Sequence, residues 1–129
     1  MKYILDTSAY SAFNRGDERL RPWFKSSNEI IVPIIVIGEL RAGFAAGDKT
    51  QDNENLLQRF LNSPNVHTAM LTDDTTKLFA EVYLSLRKAG TPIGTNDLWI
   101  SAISFEYDAS LLTLDADFSN VPDLMLAKI

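Results

Sequence analysis

The first residues of the chain limit its fold more than any other stretch. Tyr3-Ile4-Leu5 is an apolar run without alternation, and it ends on Asp6-Thr7-Ser8. An apolar run lacking a period of two is the pattern of a strand buried on both faces, and such strands belong to parallel sheets covered by helices. Thr7 and Ser8 can open a helix directly after it. In an open parallel sheet, ligands bind beyond the carboxyl ends of the strands, which is where Asp6 would stand. A carboxylate delivered there by a buried strand is costly unless a cation meets it. Asp6 has a structural alternative as a helix N-cap, so its weight depends on the other acids in the chain.

The rest of the chain alternates strands and helices. A short helix is expected over 8–13, then a second one capped by Asp17 and carrying Pro22, Trp23 and Phe24. Glu29-Ile30-Ile31-Val32-Pro33 predicts a buried strand ended by proline. A helix follows from Ile34 or Ile35 to Gly47, with Ile37, Leu40 and Phe44 on one stripe. Glu39 lies inside it, where a lone Glu is by default part of a polar face. Gly38 and Gly43 cost about 1 kcal/mol each against alanine in a helix, which predicts close backbone approach by something. An amphipathic helix over 51–61 carries Leu56, Leu57, Phe60 and Leu61, and a strand follows over 66–71. Thr72 is placed to cap a long helix to Lys88, with Leu78, Phe79, Val82, Tyr83 and Leu86 inward. Thr95 or Asn96 would cap the next helix, putting Asp97 in its first turn; the helix dipole alone favours an acid there by about 0.3–1 kcal/mol. A strand over 110–114 leads into Asp115-Ala116-Asp117-Phe118, and 124–126 predicts a last short strand. The expected architecture is a three-layer α/β/α domain with a central, mostly parallel sheet over 1–129.

Composition narrows the chemistry. The chain has 129 residues, no cysteine and one histidine, so disulfides, thiolate zinc sites and a histidine acid–base pair are excluded. His67 reads as an incidental residue. No apolar run is long enough to span a bilayer, and Asp6 interrupts anything like a signal peptide, so a cytoplasmic location is expected. The net charge of -5 argues against a nucleic-acid partner, unless clustered carboxylates bind divalent metal and reverse the local charge.

Such a cluster is predicted. Asp6 and Asp115 each follow a buried strand, Asp97 opens a helix, and Glu39 sits in a helix after a strand. The carboxyl ends of parallel strands share one edge, so these four acids can converge. Without metal they would raise one another's pKa. Magnesium or manganese, which prefer oxygen ligands, would relieve this and activate water as the nucleophile.

These motifs carry a resemblance over the whole chain. Ile4-Leu5-Asp6-Thr7-Ser8, Gly38-Glu39-Leu40-Arg41-Ala42-Gly43, Pro92-Ile93-Gly94-Thr95-Asn96-Asp97-Leu98-Trp99-Ile100 and Thr113-Leu114-Asp115-Ala116-Asp117-Phe118 resemble the PIN-domain ribonucleases. Within that family the chain is most similar to VapC-type toxins of toxin–antitoxin pairs. The resemblance implies that Asp6, Glu39, Asp97 and Asp115 hold Mg2+ or Mn2+, with Asp117 as a variable fifth acid. It implies supporting roles for Thr7, Ser8, Asn96 and Thr113. It further implies RNA cleavage, with tRNA or rRNA as usual substrates, a homodimer, and a small VapB-like antitoxin.

The RNA surface is expected at the basic residues Arg15, Arg19 and Arg41. An antitoxin groove is expected at Trp23, Phe24, Phe44, Leu56, Leu57 and Phe60. Other acid-after-strand folds fit less well. A haloacid-dehalogenase-type phosphatase needs an Asp where Ser8 stands, and a receiver domain needs a lysine after a late strand. A housekeeping RNA-processing nuclease and a non-catalytic binding module of the same fold stay open.

Overall fold

The computed structural model describes every residue from Met1 to Ile129. Four strands, β1 (Lys2–Leu5), β2 (Glu29–Pro33), β3 (Val66–Ala69) and β4 (Ser110–Leu112), form one sheet. Their order is β3-β2-β1-β4, and every pairing is parallel. Six helices accompany them: α1 (Thr7–Asn14), α2 (Arg21–Ser26), α3 (Ile34–Ala46), α4 (Thr50–Leu61), α5 (Asp73–Ala89) and α6 (Thr95–Glu106). Tyr3, Ile4 and Leu5 of β1 and Ile30, Ile31 and Val32 of β2 are all buried, although successive side chains point to opposite faces. Both faces of the sheet are therefore covered, giving the three-layer α/β/α arrangement expected from these runs.

The strand order creates the site. From β1 the chain steps outward through β2 to β3, then returns to lay β4 on the far side of β1. The seam between β1 and β4 is thus the topological switch point, where a crevice opens beyond the strand ends. Leu5 pairs with Leu112 in the register, and the Asp6 amide donates to the Leu112 carbonyl at 3.3 Å. The chain beyond β1 and the chain beyond β4 leave the sheet side by side.

Helices α5 and α6 pack together, tied at one end by polar groups. Thr72 caps α5 in a reciprocal capping box with Thr75. Thr75 Oγ1 donates to Glu106 Oε1 at 2.6 Å, and Thr72 Oγ1 to Glu106 Oε2 at 3.2 Å. At its other end α5 stops on Gly90, whose φ of +73° is the left-handed cap that glycine adopts without strain.

Several local expectations are corrected. Asp17 does not cap α2; its Oδ1 accepts from the Arg19 amide at 3.0 Å, and Leu20 is the N-cap, with no side-chain hydrogen bond. Gly94, not Thr95 or Asn96, is the N-cap of α6. β3 ends at Ala69 and β4 at Leu112, both short of the expected ends, so Asp115 stands beyond a two-residue loop rather than directly on the strand. Residues 124–126 contribute only an isolated bridge between Leu126 and Leu111. Tyr83 is 47% exposed rather than inward. A Cβ at Gly38 or Gly43 would meet nothing within 4 Å, so no part of the chain makes the close approach their cost suggested.

Leu57 is fully buried in the main core and cannot be a partner contact. Leu57→Ala is expected to destabilise the fold by about 2–5 kcal/mol in urea melts. A loss under about 0.5 kcal/mol, the scale of surface substitutions, would return it to the surface.

Candidate active site

Four chain segments meet at the β1–β4 seam: the β1–α1 junction, α3, the start of α6 and the loop after β4. The Asp6 side chain leaves β1 and is only 4% exposed. It does cap α1, since Oδ1 accepts from the Ala9 amide at 2.9 Å, and the same side chain lines the cleft described below. Ser8 Oγ donates to the same oxygen at 2.8 Å, and Thr113 Oγ1 donates to Oδ2. The same two hydroxyls then take up the β4 loop. Ser8 Oγ accepts from the Leu114 amide and Thr113 Oγ1 from the Asp115 amide, each at 3.0 Å. Asp115 Oδ1 in turn accepts from the Asp117 amide at 2.9 Å and caps the 3-10 turn over Ala116–Asn120. From α3, Glu39 reaches in and accepts from Thr7 Oγ1 at 2.8 Å.

The result is a cleft of about 260 Å3 whose lining includes Asp6, Glu39, Asp97 and Asp115. Ser11 also lines it, a residue the sequence reading passed over. Its spacing of four from Thr7 on α1 puts both hydroxyls on one helix face and was the available signal. Asn96 lies at the mouth, in an adjoining recess shared with Glu39, Thr95 and Asp97. The tightest grouping is Asp97, Asp115 and Asp117, each offering a carboxylate oxygen within 4.8 Å of the others. Asp117 is therefore brought closer to Asp97 and Asp115 than a bare quartet of acids anticipates.

Electrostatics mark this cluster. Burial first, then the charges of Asp115, Glu39, Asp6 and Asp117, push Asp97 up to about 6. Burial also raises Asp6 above the ordinary carboxylate range, opposed by its hydrogen bonds from Thr113, Ala9 and Ser8 and aided by the charge of Asp115. The charges acting on Asp97 are all carboxylates. Four carboxylates lining one crevice, with Asp117 beside two of them, are hard oxygen donors that fit a divalent cation such as magnesium or manganese.

The expected basic and apolar surfaces are partly occupied within the chain. Arg41 forms a forked pair with Glu54, with Nε to Oε1 and Nη2 to Oε2 both at 3.0 Å. Arg19 is similarly held by Asp17, with Nη2 to Oδ2 at 2.7 Å. Arg15 is exposed and forms no ion pair. Phe24 stacks on Phe13 at 3.9 Å and meets Phe60 edge-on at 6.2 Å, while Trp23 meets Tyr3 edge-on at 5.8 Å. Trp23, Phe24, Phe44 and Phe60 are half-buried, and Leu56 is 37% exposed. Trp23 and Phe24 of α2, Phe44 of α3 and Phe60 of α4 all pack against the core and stay partly exposed.

Fold and site together define an α/β domain that gathers carboxylates at its topological switch point. A profile of the PIN domain matches residues 3–124, and the chain belongs to the PIN-domain family, among its VapC-type members. Ribonuclease VapC from Rickettsia bellii is 30% identical over 135 residues, covering 100% of this chain and 97% of that protein. Ribonuclease VapC5 from Mycobacterium tuberculosis is 28% identical over 119 residues, covering 90% of this chain and 84% of that one. Among solved structures, VapBC2 from Rickettsia felis, bound to a DNA fragment from their promoter, superposes with a TM-score of 0.83. It is 28% identical and covers 98% of both chains. No helix is long and apolar enough to cross a membrane.

Proposed function

We propose that the chain is a metal-dependent endoribonuclease and the toxin of a toxin–antitoxin pair. The observation that carries the chemistry is the convergence of Asp6, Glu39, Asp97 and Asp115 on one crevice, with Asp117 beside Asp97 and Asp115. The relatives named as ribonucleases support RNA as the substrate. Bound magnesium or manganese would supply an activated water and neutralise charge on the scissile phosphate. Asp97, Asp115 and Asp117 would hold it, with Asp6 and Glu39 facing the same crevice.

The chain's own residues do the positioning. Ser8, Thr113 and the Ala9 amide fix both oxygens of Asp6, and Thr7 fixes one oxygen of Glu39, so neither carboxylate must reorganise. Asn96, exposed at the mouth, offers an amide to a phosphate or to the 2′-hydroxyl that distinguishes RNA from DNA. Arg15, exposed and without an ion pair, is the free cation for the RNA backbone; Arg19 and Arg41 enter with their charges already paired. A small VapB-like antitoxin would lie along the outer edges of Trp23, Phe24, Phe44 and Phe60 with Leu56, and the toxin would act as a homodimer. The VapBC assembly in the Rickettsia felis structure supports this partner class.

The test is cleavage of a defined single-stranded RNA by the purified protein. Cutting is expected with magnesium or manganese, none in EDTA, and full recovery when metal is returned. Cutting undiminished by EDTA, or none with either metal, overturns the assignment.

A further inference from the structure

A second groove, of about 280 Å3, lies on the other side of Asp115, lined by Arg19, Leu114, Ala116, Leu126 and Ala127 among others. Asp115 is common to this groove and the acidic cleft. We propose that this groove is the subsite for the nucleobase adjoining the bond that is cut, with Leu114 as its apolar ledge and the Arg19 guanidinium as its stacking plate. The proposal rests on the ribonuclease function above and adds to it a determinant of sequence preference.

Three features of the groove support a base rather than a second phosphate or a metal. Leu114 is an apolar side chain left 36% exposed beside a charged cleft. Yet its backbone is not loose. Its amide is held by Ser8 Oγ at 3.0 Å, and its two neighbours are tied to Asp6 through Thr113 Oγ1. The opposite wall is fixed as well, since the Leu111 amide donates to the Met125 carbonyl at 2.8 Å and the Ala127 amide to the Leu111 carbonyl at 3.0 Å. A groove with both walls fixed needs little ordering when a flat ligand enters.

Arg19 supplies the third feature. Its Nε and Nη2 are engaged by the Asp17 carboxylate, which holds the guanidinium plane in place and offsets its charge. Nη1 has no partner in the chain. A guanidinium whose charge is offset by a carboxylate attracts a phosphate weakly, but it keeps the planar face that stacks on bases and a free N–H for a base edge. Apolar ledge and guanidinium plate are the two surfaces that single-strand binders set against bases. Because Asp115 borders both spaces, a nucleotide whose phosphate lies at the acids can place its base here.

The experiment uses short RNAs carrying one cut site, each nucleotide flanking the cut being replaced in turn by an abasic unit, with kcat and KM read separately. For the wild type, one abasic position is expected to lower kcat/KM by about tenfold, mainly through KM, as loss of a base stack does. In Leu114→Ala and in Arg19→Ala that abasic penalty should shrink to within about twofold, because the stack is already gone. Arg19→Lys, which keeps the charge and loses the plane, should behave like Arg19→Ala. An equal abasic penalty in wild type and Leu114→Ala overturns the subsite, and so does wild-type KM in Arg19→Lys. Failure of the wild type to cut any RNA is a different result, which overturns the ribonuclease function itself.

Discussion

Asp97→Asn is expected to lower RNA cleavage by at least about a hundredfold with little change in the fold. Loss of a residue that merely orients a metal ligand costs about 10–100-fold, and Asp97 faces the crevice itself. The substitution keeps the size and one oxygen of the side chain while removing its charge from a group of five carboxylates. Its place in the first turn of α6 costs little to vacate, because the N-cap is Gly94 and no side chain caps that helix. Cleavage within about threefold of wild type, at saturating magnesium and with an unaltered far-UV circular dichroism spectrum, would remove Asp97 from the chemistry.

The same substitution should make the metal-free protein more stable. Burial and neighbouring acids raise the folded-state pKa of Asp97 to about 6, against an unfolded value of about 3.9. A raised carboxylate binds its proton more readily in the folded state, so the fold is favoured below about pH 4 and loses that advantage as pH rises through 6. Metal-free protein should therefore melt at a higher temperature near pH 5 than at pH 7. Asp6 is shifted in the same direction. Asp17 and Glu54 are shifted down by their arginines and act below this window, with the opposite sign. Asp97 is partly exposed, so solvent screening reduces the full effect, and about 1–2 kcal/mol is expected for Asp97→Asn at pH 7. Magnesium should restore the wild type by about 2.7 kcal/mol at a hundredfold excess over its dissociation constant, and the variant by less. Thermal melts in EDTA and in magnesium decide it: a variant less stable than wild type in EDTA at pH 7 would make Asp97 a structural residue.

The order of the amino acids alone carries the set of segments and the acids at their ends. The unbroken runs Tyr3–Leu5 and Ile30–Val32 identify buried parallel strands because neither face carries a polar residue. Where reading failed, a distant partner decided the outcome. Thr113 and Leu114 have strand-like side chains, but β4 stops at Leu112 because its partner β1 stops at Leu5 and turns into α1. Helical periodicity finds the apolar stripe of α4, but cannot tell that Leu57 lies in the core while Leu56 stays 37% exposed. Asp17 looks like a helix cap from its neighbours alone, yet Arg19 two residues on supplies a forked partner that holds it in a turn. Convergence of the acids followed from parallel topology, whereas the place of Asp117 beside Asp97 depended on a 3-10 turn that no period announces.

The clasp between the two ends of the seam has a consequence for biosynthesis. Thr113 closes on Asp6 across a sequence separation of 107 residues, and Asp97 and Asp115 come from the last third of the chain. A nascent polypeptide emerging at about 5–20 residues per second carries β1, β2 and β3 long before it carries β4. Until then Asp6 has Ser8 but lacks the Thr113 hydroxyl, and the Asp97, Asp115 and Asp117 group does not exist. The ribosome thus has to pass β4 before the acidic crevice can form, and a chain that stalls or is clipped ahead of Thr113 should be harmless to the cell making it.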